Sequence, residues 1–135
     1  MGSETRRAAL AAVPIGLAWA LLVSPALADM QDYEFQLVQS EAKKGEGAIV
    51  SVRLVNKRTG KGVPDAVISA KRIDMTPDGM ADMAPHIEQL PSTEPGVYRF
   101  KTNLSMQGRW QLSLAAKVQG ETGTVESKLV LKVVP

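Results

Sequence analysis

The chain has 135 residues, 44% of them hydrophobic, with a formal net charge of +2 and no cysteine. This length suits a single domain, and the missing cysteines exclude disulfides, thiolate metal sites and a cysteine nucleophile. The small net charge also argues against a nucleic-acid-binding or polybasic membrane surface.

The N-terminal residues have the order of a secretory signal peptide. Two arginines at residues 6–7 precede a mainly apolar run over residues 8–23, and residues 24–28 (SPALA) supply a helix breaker and a small-x-small cleavage site. A transmembrane anchor is the rival interpretation, but a bilayer core needs about 20 apolar residues and this run is shorter. We therefore expect cleavage after Ala28, export to the periplasm without a stable membrane anchor, and a mature domain of residues 29–135.

Alternation of apolar and polar residues dominates the mature chain and predicts β-strands. The predicted strands cover residues 33–37, 49–55, 63–73, 97–102, 110–114 and 125–134, with a short edge strand at residues 86–90. Turn residues separate these strands at intervals of about 8–12 residues, which is typical of a β-sandwich. The sequence predicts an all-β fold, a small immunoglobulin-like antiparallel β-sandwich of about seven strands. Trp110 alternates in phase with Leu112 and Leu114, so we expect it in the core.

The usual catalytic constellations are missing from the sequence. His86 is the one histidine, no serine lies in a Gly-x-Ser-x-Gly setting, and no phosphate loop occurs. Asp74 and Asp78 form a carboxylate pair, but we expect both to be solvated turn formers. The sequence therefore does not predict an enzyme.

The segment between the third and fourth predicted strands contains an unusual set of side chains. Met75, Met80, Met83 and His86 fall within a stretch interrupted by proline, glycine and aspartate, so we expect much of it to be wet. Thioether sulfur is a soft ligand that selects Cu(I), and imidazole also binds copper. The alternative is that these methionines fill the core at the open end of the sandwich. Both interpretations stay open at this point.

Turn order adds Met106 to the candidate ligands. In a sandwich of sequential antiparallel strands, alternate turns lie at the same end. If residues 86–90 form a strand, the turns at residues 43–47, 75–86 and 104–108 share one end, and Met106 approaches the other methionines.

Three stretches of the chain carry a family resemblance. They are PDAVI at residues 64–68, PGVYRF at residues 95–100, and MQGRWQLSL at residues 106–114. With the methionine-rich segment between the first two, they resemble the YtkA-like and FixH-like exported domains over most of the mature chain. The resemblance implies a small β-sandwich that works near copper or heavy-metal handling systems.

The resemblance also implies roles for particular residues. Met75, Met80, Met83 and Met106 match positions where the family often carries methionine, although the dense Met-Pro-x-Met type of loop is looser here. The long membrane anchor of the FixH type is missing. We therefore expect a small periplasmic metal-binding protein, a copper carrier or accessory, whose partner is an envelope protein or a metal efflux or assembly system. The alternative is an envelope protein–protein interaction module that binds no metal.

Overall fold

The computed structural model describes residues 29–135. The predicted signal peptide of residues 1–28 and its cleavage site lie outside the described residues. Within the described part, no helix is long and apolar enough to cross a membrane.

The described residues form nine strands in two sheets. These are β1 (Tyr33–Leu37), β2 (Glu41–Lys43), β3 (Gly45–Asn56), β4 (Lys61–Gly62), β5 (Val67–Asp74), β6 (Ile87–Leu90), β7 (Val97–Leu104), β8 (Gly108–Lys117) and β9 (Val125–Val134). The first sheet has the order β1-β3-β7-β6 with β4 beside β3, and the second has the order β2-β9-β8-β5. Single 3₁₀ turns lie at Asp29–Asp32 and Thr76–Asp78. The prediction of an all-β, two-sheet fold is confirmed.

Three details of the prediction are wrong. Nine strands replace about seven, because the short strands β2 and β4 lie outside the predicted strands. The third predicted strand begins at Val67 rather than at residue 63, since Pro64 and Asp65 make a turn in which Asp65 has a φ of 63°. The sheets are also not wholly antiparallel: β2 pairs with β9 in parallel because the chain crosses from the first sheet to the second after β1.

The inner faces of the two sheets meet in one apolar core. Alternate residues of β7, β8 and β9 are buried, as expected for strands that cover a core on one face. Trp110 is fully buried, which confirms its predicted place, and its indole N–H donates a hydrogen bond to the Met106 carbonyl at 3.1 Å. This bond holds the turn before β8 against the end of the sandwich.

A buried tyrosine joins the two sheets at the opposite end of β7. The Tyr98 hydroxyl donates to the Val63 carbonyl at 2.7 Å and accepts from the Ala66 N–H at 3.0 Å. Burial and the nearby Asp65 charge raise the pKa of Tyr98 above its usual value, although the Ala66 bond opposes them. The neutral hydroxyl therefore fixes the turn that leads into β5.

Candidate functional site

The candidate site lies at one end of the sandwich, where three connections meet. The Met loop (residues 74–86) joins β5 to β6, and Asp78 in this loop contacts Arg109 at the start of β8. Gly45, at the start of β3, pairs with Leu104 at the end of β7. The three connections therefore share one end, as predicted, although residues 45–47 belong to β3 and not to a turn.

Asp74 begins the Met loop and is buried, not solvated as the sequence predicted. Its carboxylate is about 5% exposed and forms an ion pair with the Arg72 Nε at 2.7 Å, while the Thr76 N–H donates to it at 3.0 Å. Burial raises the pKa of Asp74, but hydrogen bonds from Thr76 and Arg72 outweigh that effect and hold the pKa below its usual value. Arg72 also donates to the Ala81 carbonyl at 2.9 Å, so it connects both halves of the loop.

Asp78 lies exposed in the 3₁₀ turn, as predicted, and it also forms an ion pair that the sequence did not predict. The backbone N–H of Arg109 donates to Asp78 at 2.8 Å and the Arg109 Nε donates to it at 2.9 Å. The backbone bond is the main reason that the pKa of Asp78 lies below its usual value, with the Arg109 side chain assisting against partial desolvation. Arg109 also donates to the Pro77 carbonyl at 2.8 Å, so the 3₁₀ turn is fixed to β8.

Gly108 allows the Met loop to lie close to β8. It has a φ of +140°, and a Cβ atom there would lie 2.6 Å from the Asp78 Oδ2 and 2.6 Å from the Met75 Cε. A side chain at this position would displace the two groups that fill the space. The glycine of the Met-x-Gly-x-Trp stretch is therefore explained by close packing against the Met loop.

Met75 belongs to the core, which agrees with the core-filling alternative for this residue and not with its place among the predicted metal ligands. It is 0% exposed and continues the inward phase of Ile73 in β5. It also forms an isolated antiparallel bridge with Met80, whose N–H donates to the Met75 carbonyl at 3.0 Å. Its side chain belongs to the apolar core cluster, so Met75 fills the end of the sandwich.

Met80 and Met83 lie at the margin of the core. Both are partly buried and pack against it, and the Met83 N–H donates to the Met80 carbonyl at 3.1 Å, which places the two residues in one turn. His86 is exposed three residues later, and its carbonyl accepts a hydrogen bond from the Thr102 hydroxyl at 2.7 Å. Met106 lies on the turn between β7 and β8 and is 37% exposed. Of the five predicted ligands, four therefore reach the surface at this end.

The donor set decides which metal these residues suit. Among residues 29–135, no three histidine, aspartate or glutamate side chains come together as a metal site. The donors at this end are thioethers and one imidazole, which suit a soft ion such as Cu(I) and not a hard cation that needs several carboxylates.

The sequence analysis did not predict the roles of Arg72 and Arg109, which hold the Met loop in place. The Arg-x-Asp spacing of residues 72–74 was the available signal for Arg72.

Comparison with known proteins gives a family. The model of the family described as YtkA-like matches residues 27–115, which include the whole Met loop and most of β8. No curated protein matches the chain.

Three solved structures are similar to the chain at low identity. The Lin-41 filamin domain is 16% identical over 74% of this chain and 91% of that chain, with a TM-score of 0.46. A DUF4785 family protein from Legionella pneumophila is 14% identical over 75% of this chain and 28% of that chain, with a TM-score of 0.46. The ZirS C-terminal domain is 14% identical over 80% of this chain and 68% of that chain, with a TM-score of 0.44. At these identities the likeness concerns the fold alone.

Proposed function

The chain belongs to the YtkA-like family, and we propose on that premise that its Met loop binds Cu(I) through Met80, Met83 and His86. Met106 on the adjoining turn is an additional thioether donor. Met75 is left out of the ligand set because its side chain is enclosed in the core. The protein then acts in the periplasm as a copper carrier or accessory that passes the ion to an envelope protein or a metal efflux or assembly system.

The observation that carries this proposal is the position of Met80 and Met83. Both lie partly exposed at the core margin, in a loop held on one side by Arg72 and on the other by Arg109. A loop that is fixed before the ion arrives loses less conformational freedom on binding. Two thioethers in one turn, with an imidazole three residues later, therefore form a prepared set of soft donors.

The chemistry of these donors favours transport over storage. Thioethers and neutral imidazole bring no negative charge, so the ion is held less firmly than by thiolates and exchanges more readily. Thioether ligation also needs no deprotonation, so acid does not displace the ion from the sulfur atoms. Both properties suit a protein that must give up its copper to a partner.

A competition titration with a Cu(I) chelator tests the proposal. Wild type should take Cu(I) from the chelator, and the Met80→Leu/Met83→Leu variant should compete much less well, because leucine keeps volume and apolarity but removes the sulfur. Met75→Leu is the matched control and should compete like wild type. If wild type and the double variant compete equally, or neither competes, the copper proposal fails and the metal-free interaction module takes its place.

A further inference from the structure

One side of the sandwich is left open where β1 ends. The Val38 N–H donates to the Ser51 carbonyl at 3.0 Å, which is the last backbone hydrogen bond of this segment to β3. The chain then crosses to the second sheet, where the Lys132 N–H donates to the Ser40 carbonyl at 2.9 Å. The part of β3 before Ser51 therefore has no strand on its outer side.

The direction of the backbone groups in β3 follows from two hydrogen bonds. The Leu54 N–H donates to the Gly96 carbonyl at 2.9 Å on the β7 side, while the Ser51 carbonyl accepts on the β1 side. In an antiparallel ladder, the N–H and C=O of one residue point to the same side of the strand, and those of the next residue point to the other side. The backbone groups of residues 49 and 51 therefore point to the same side. The N–H and C=O of Ile49 therefore face the open side, where no strand of the described residues lies beside them.

The open side contains a cleft that is lined by both apolar and polar side chains. This side cleft has a volume of about 330 Å³ and lies between the edges of β3 and β2, with Ala42, Val50 and Leu131 at its base. Val38 and Ile49 line its rim and are 52% and 43% exposed. An edge with free backbone groups and apolar side chains is a site where another strand can pair.

The edge strand β5 of the second sheet shows the opposite design. Lys71 pairs with Leu114 at a position on the inner face of the sheet, yet its side chain is exposed. The register of β5 against β8 also shifts between Ile68 and Ala70. An inward-pointing charge and an irregular register both protect an edge against added strands. The pairing of β3 with β7 also shifts, between Gly45 and Ala48, but it is regular from Ala48 to Arg53. Unlike β5, β3 therefore has no charged side chain on its inner face in this regular stretch of the open edge.

Charge indicates what kind of strand fits the side cleft. Arg99 lines the cleft on the outer face of the first sheet, where its guanidinium also donates to the Pro91 carbonyl at 3.2 Å. Arg53 lines the adjoining depression together with Val38, Ser51 and Glu94. Within the part of the chain that the structure describes, neither arginine is in an ion pair. Glu41 lines the other wall of the cleft, which disfavours a polyanion such as nucleic acid. A peptide with isolated carboxylates on one face avoids that conflict.

We propose that the side cleft binds an extended segment of a partner protein in which apolar and acidic residues alternate. The segment pairs with the backbone of Ile49. Its apolar side chains then point inward over Val50 and Leu131, and its carboxylates point outward toward Arg99 and Arg53, because successive side chains of a strand face opposite ways. This proposal is independent of copper binding by the Met loop.

Backbone amide NMR of the purified protein tests the proposal with three blocked hexapeptides that alternate valine with aspartate, serine or lysine. The aspartate peptide should shift the Ile49 amide signal and slow its hydrogen exchange, and the affinities should fall from aspartate to serine to lysine. Ile49→Pro removes the free N–H, which an edge position tolerates, and should weaken binding about fivefold. Ile49→Ser keeps the N–H but removes the apolar contact. It should also weaken binding, and it replaces the proline variant in this test if that variant does not fold.

Two further variants test whether binding depends on the charge of Arg99 and whether it is confined to the side cleft. Arg99→Gln should remove the preference for aspartate over serine. Val67→Ser, on the exposed face of β5, should leave binding unchanged. The proposal is overturned if no peptide affects Ile49 at about millimolar concentration, if the lysine peptide binds as tightly as the aspartate peptide, or if the free protein is a dimer that pairs through Ile49.

Discussion

Gly108→Ala should destabilise the protein by pushing the Met loop away from β8. The new Cβ would lie 2.6 Å from the Asp78 Oδ2 and 2.6 Å from the Met75 Cε, both far inside van der Waals contact. The Met75 methyl group can turn aside, but hydrogen bonds from Arg109 hold the Asp78 carboxylate in place. Alanine therefore breaks the contact between the Met loop and β8, or it forces the backbone of β8 to move.

The expected cost has two sources. An alanine at a φ of +140° is strained by about 1–3 kcal/mol, and overpacking adds about 1–3 kcal/mol. We therefore expect Gly108→Ala to lower the free energy of unfolding by about 2–6 kcal/mol, a large share of the stability of a small domain. Gly79→Ala is the matched control, because Gly79 has a φ of +77° and nothing within 4 Å of the added Cβ. It should show the backbone strain alone.

Urea unfolding of both variants, followed by tryptophan fluorescence, measures the difference. Gly108→Ala should unfold at a clearly lower urea concentration than Gly79→Ala. An NMR titration should also show the pKa of Asp78 rising toward its ordinary value in Gly108→Ala, because the displaced carboxylate loses its Arg109 bonds. Equal midpoints for the two alanine variants would refute the account of how the Met loop packs on β8.

Three other predictions concern the core, acid stability and processing. Met75→Ala should lower the free energy of unfolding, measured with denaturant, by about 2–5 kcal/mol, and Met75→Leu by less than about 1.5 kcal/mol, because Met75 fills the core. Equal effects of the two substitutions would show that the volume of the Met75 side chain is not needed. The lowered pKa of Asp74 stabilises the folded protein above the unfolded-state pKa of about 3.9, and this contribution is lost as pH falls through the lower folded-state value. Thermal stability should therefore drop below about pH 4, and Asp74→Asn should reduce that drop; an unchanged drop would contradict the assignment. The intact mass of the exported protein should match a chain that begins at Asp29, whereas a stable full-length membrane-bound form would contradict cleavage after Ala28.

Most strands of this fold were predictable because their sequences alternate. In β8, Trp110, Leu112 and Leu114 face inward and are buried, while Gln111 and Ser113 between them are more exposed. The short strands β2 and β4 were not predictable, since two or three residues are too few to show a period. The crossing after Val38 depends on the pairing of Ser40 with β9, which is a contact between distant parts of the chain.

The candidate site was predictable only in part. Turn order alone predicts that the Met loop and the Met106 turn lie at one end of the sandwich. The ion pairs of Asp74 and Asp78 were missed, because the side chains of turn-forming aspartates look solvated until their arginine partners are placed. The burial of Met75 had a signal in the sequence: it lies two residues after Ile73 and continues the phase of β5.

Methionine methyl NMR tests the central claim most directly, because it reports on each thioether separately. The purified protein, labelled with ¹³C in the methionine ε-methyl groups, is titrated with Cu(I) under anaerobic, reducing conditions. The methyl signals of Met80 and Met83 should move together with the ring signals of His86, and the signal of Met75 should stay where it is. Methyl signals that do not change after one equivalent of Cu(I), or that change at Met75 and not at Met80 and Met83, would contradict the copper site proposed for the Met loop.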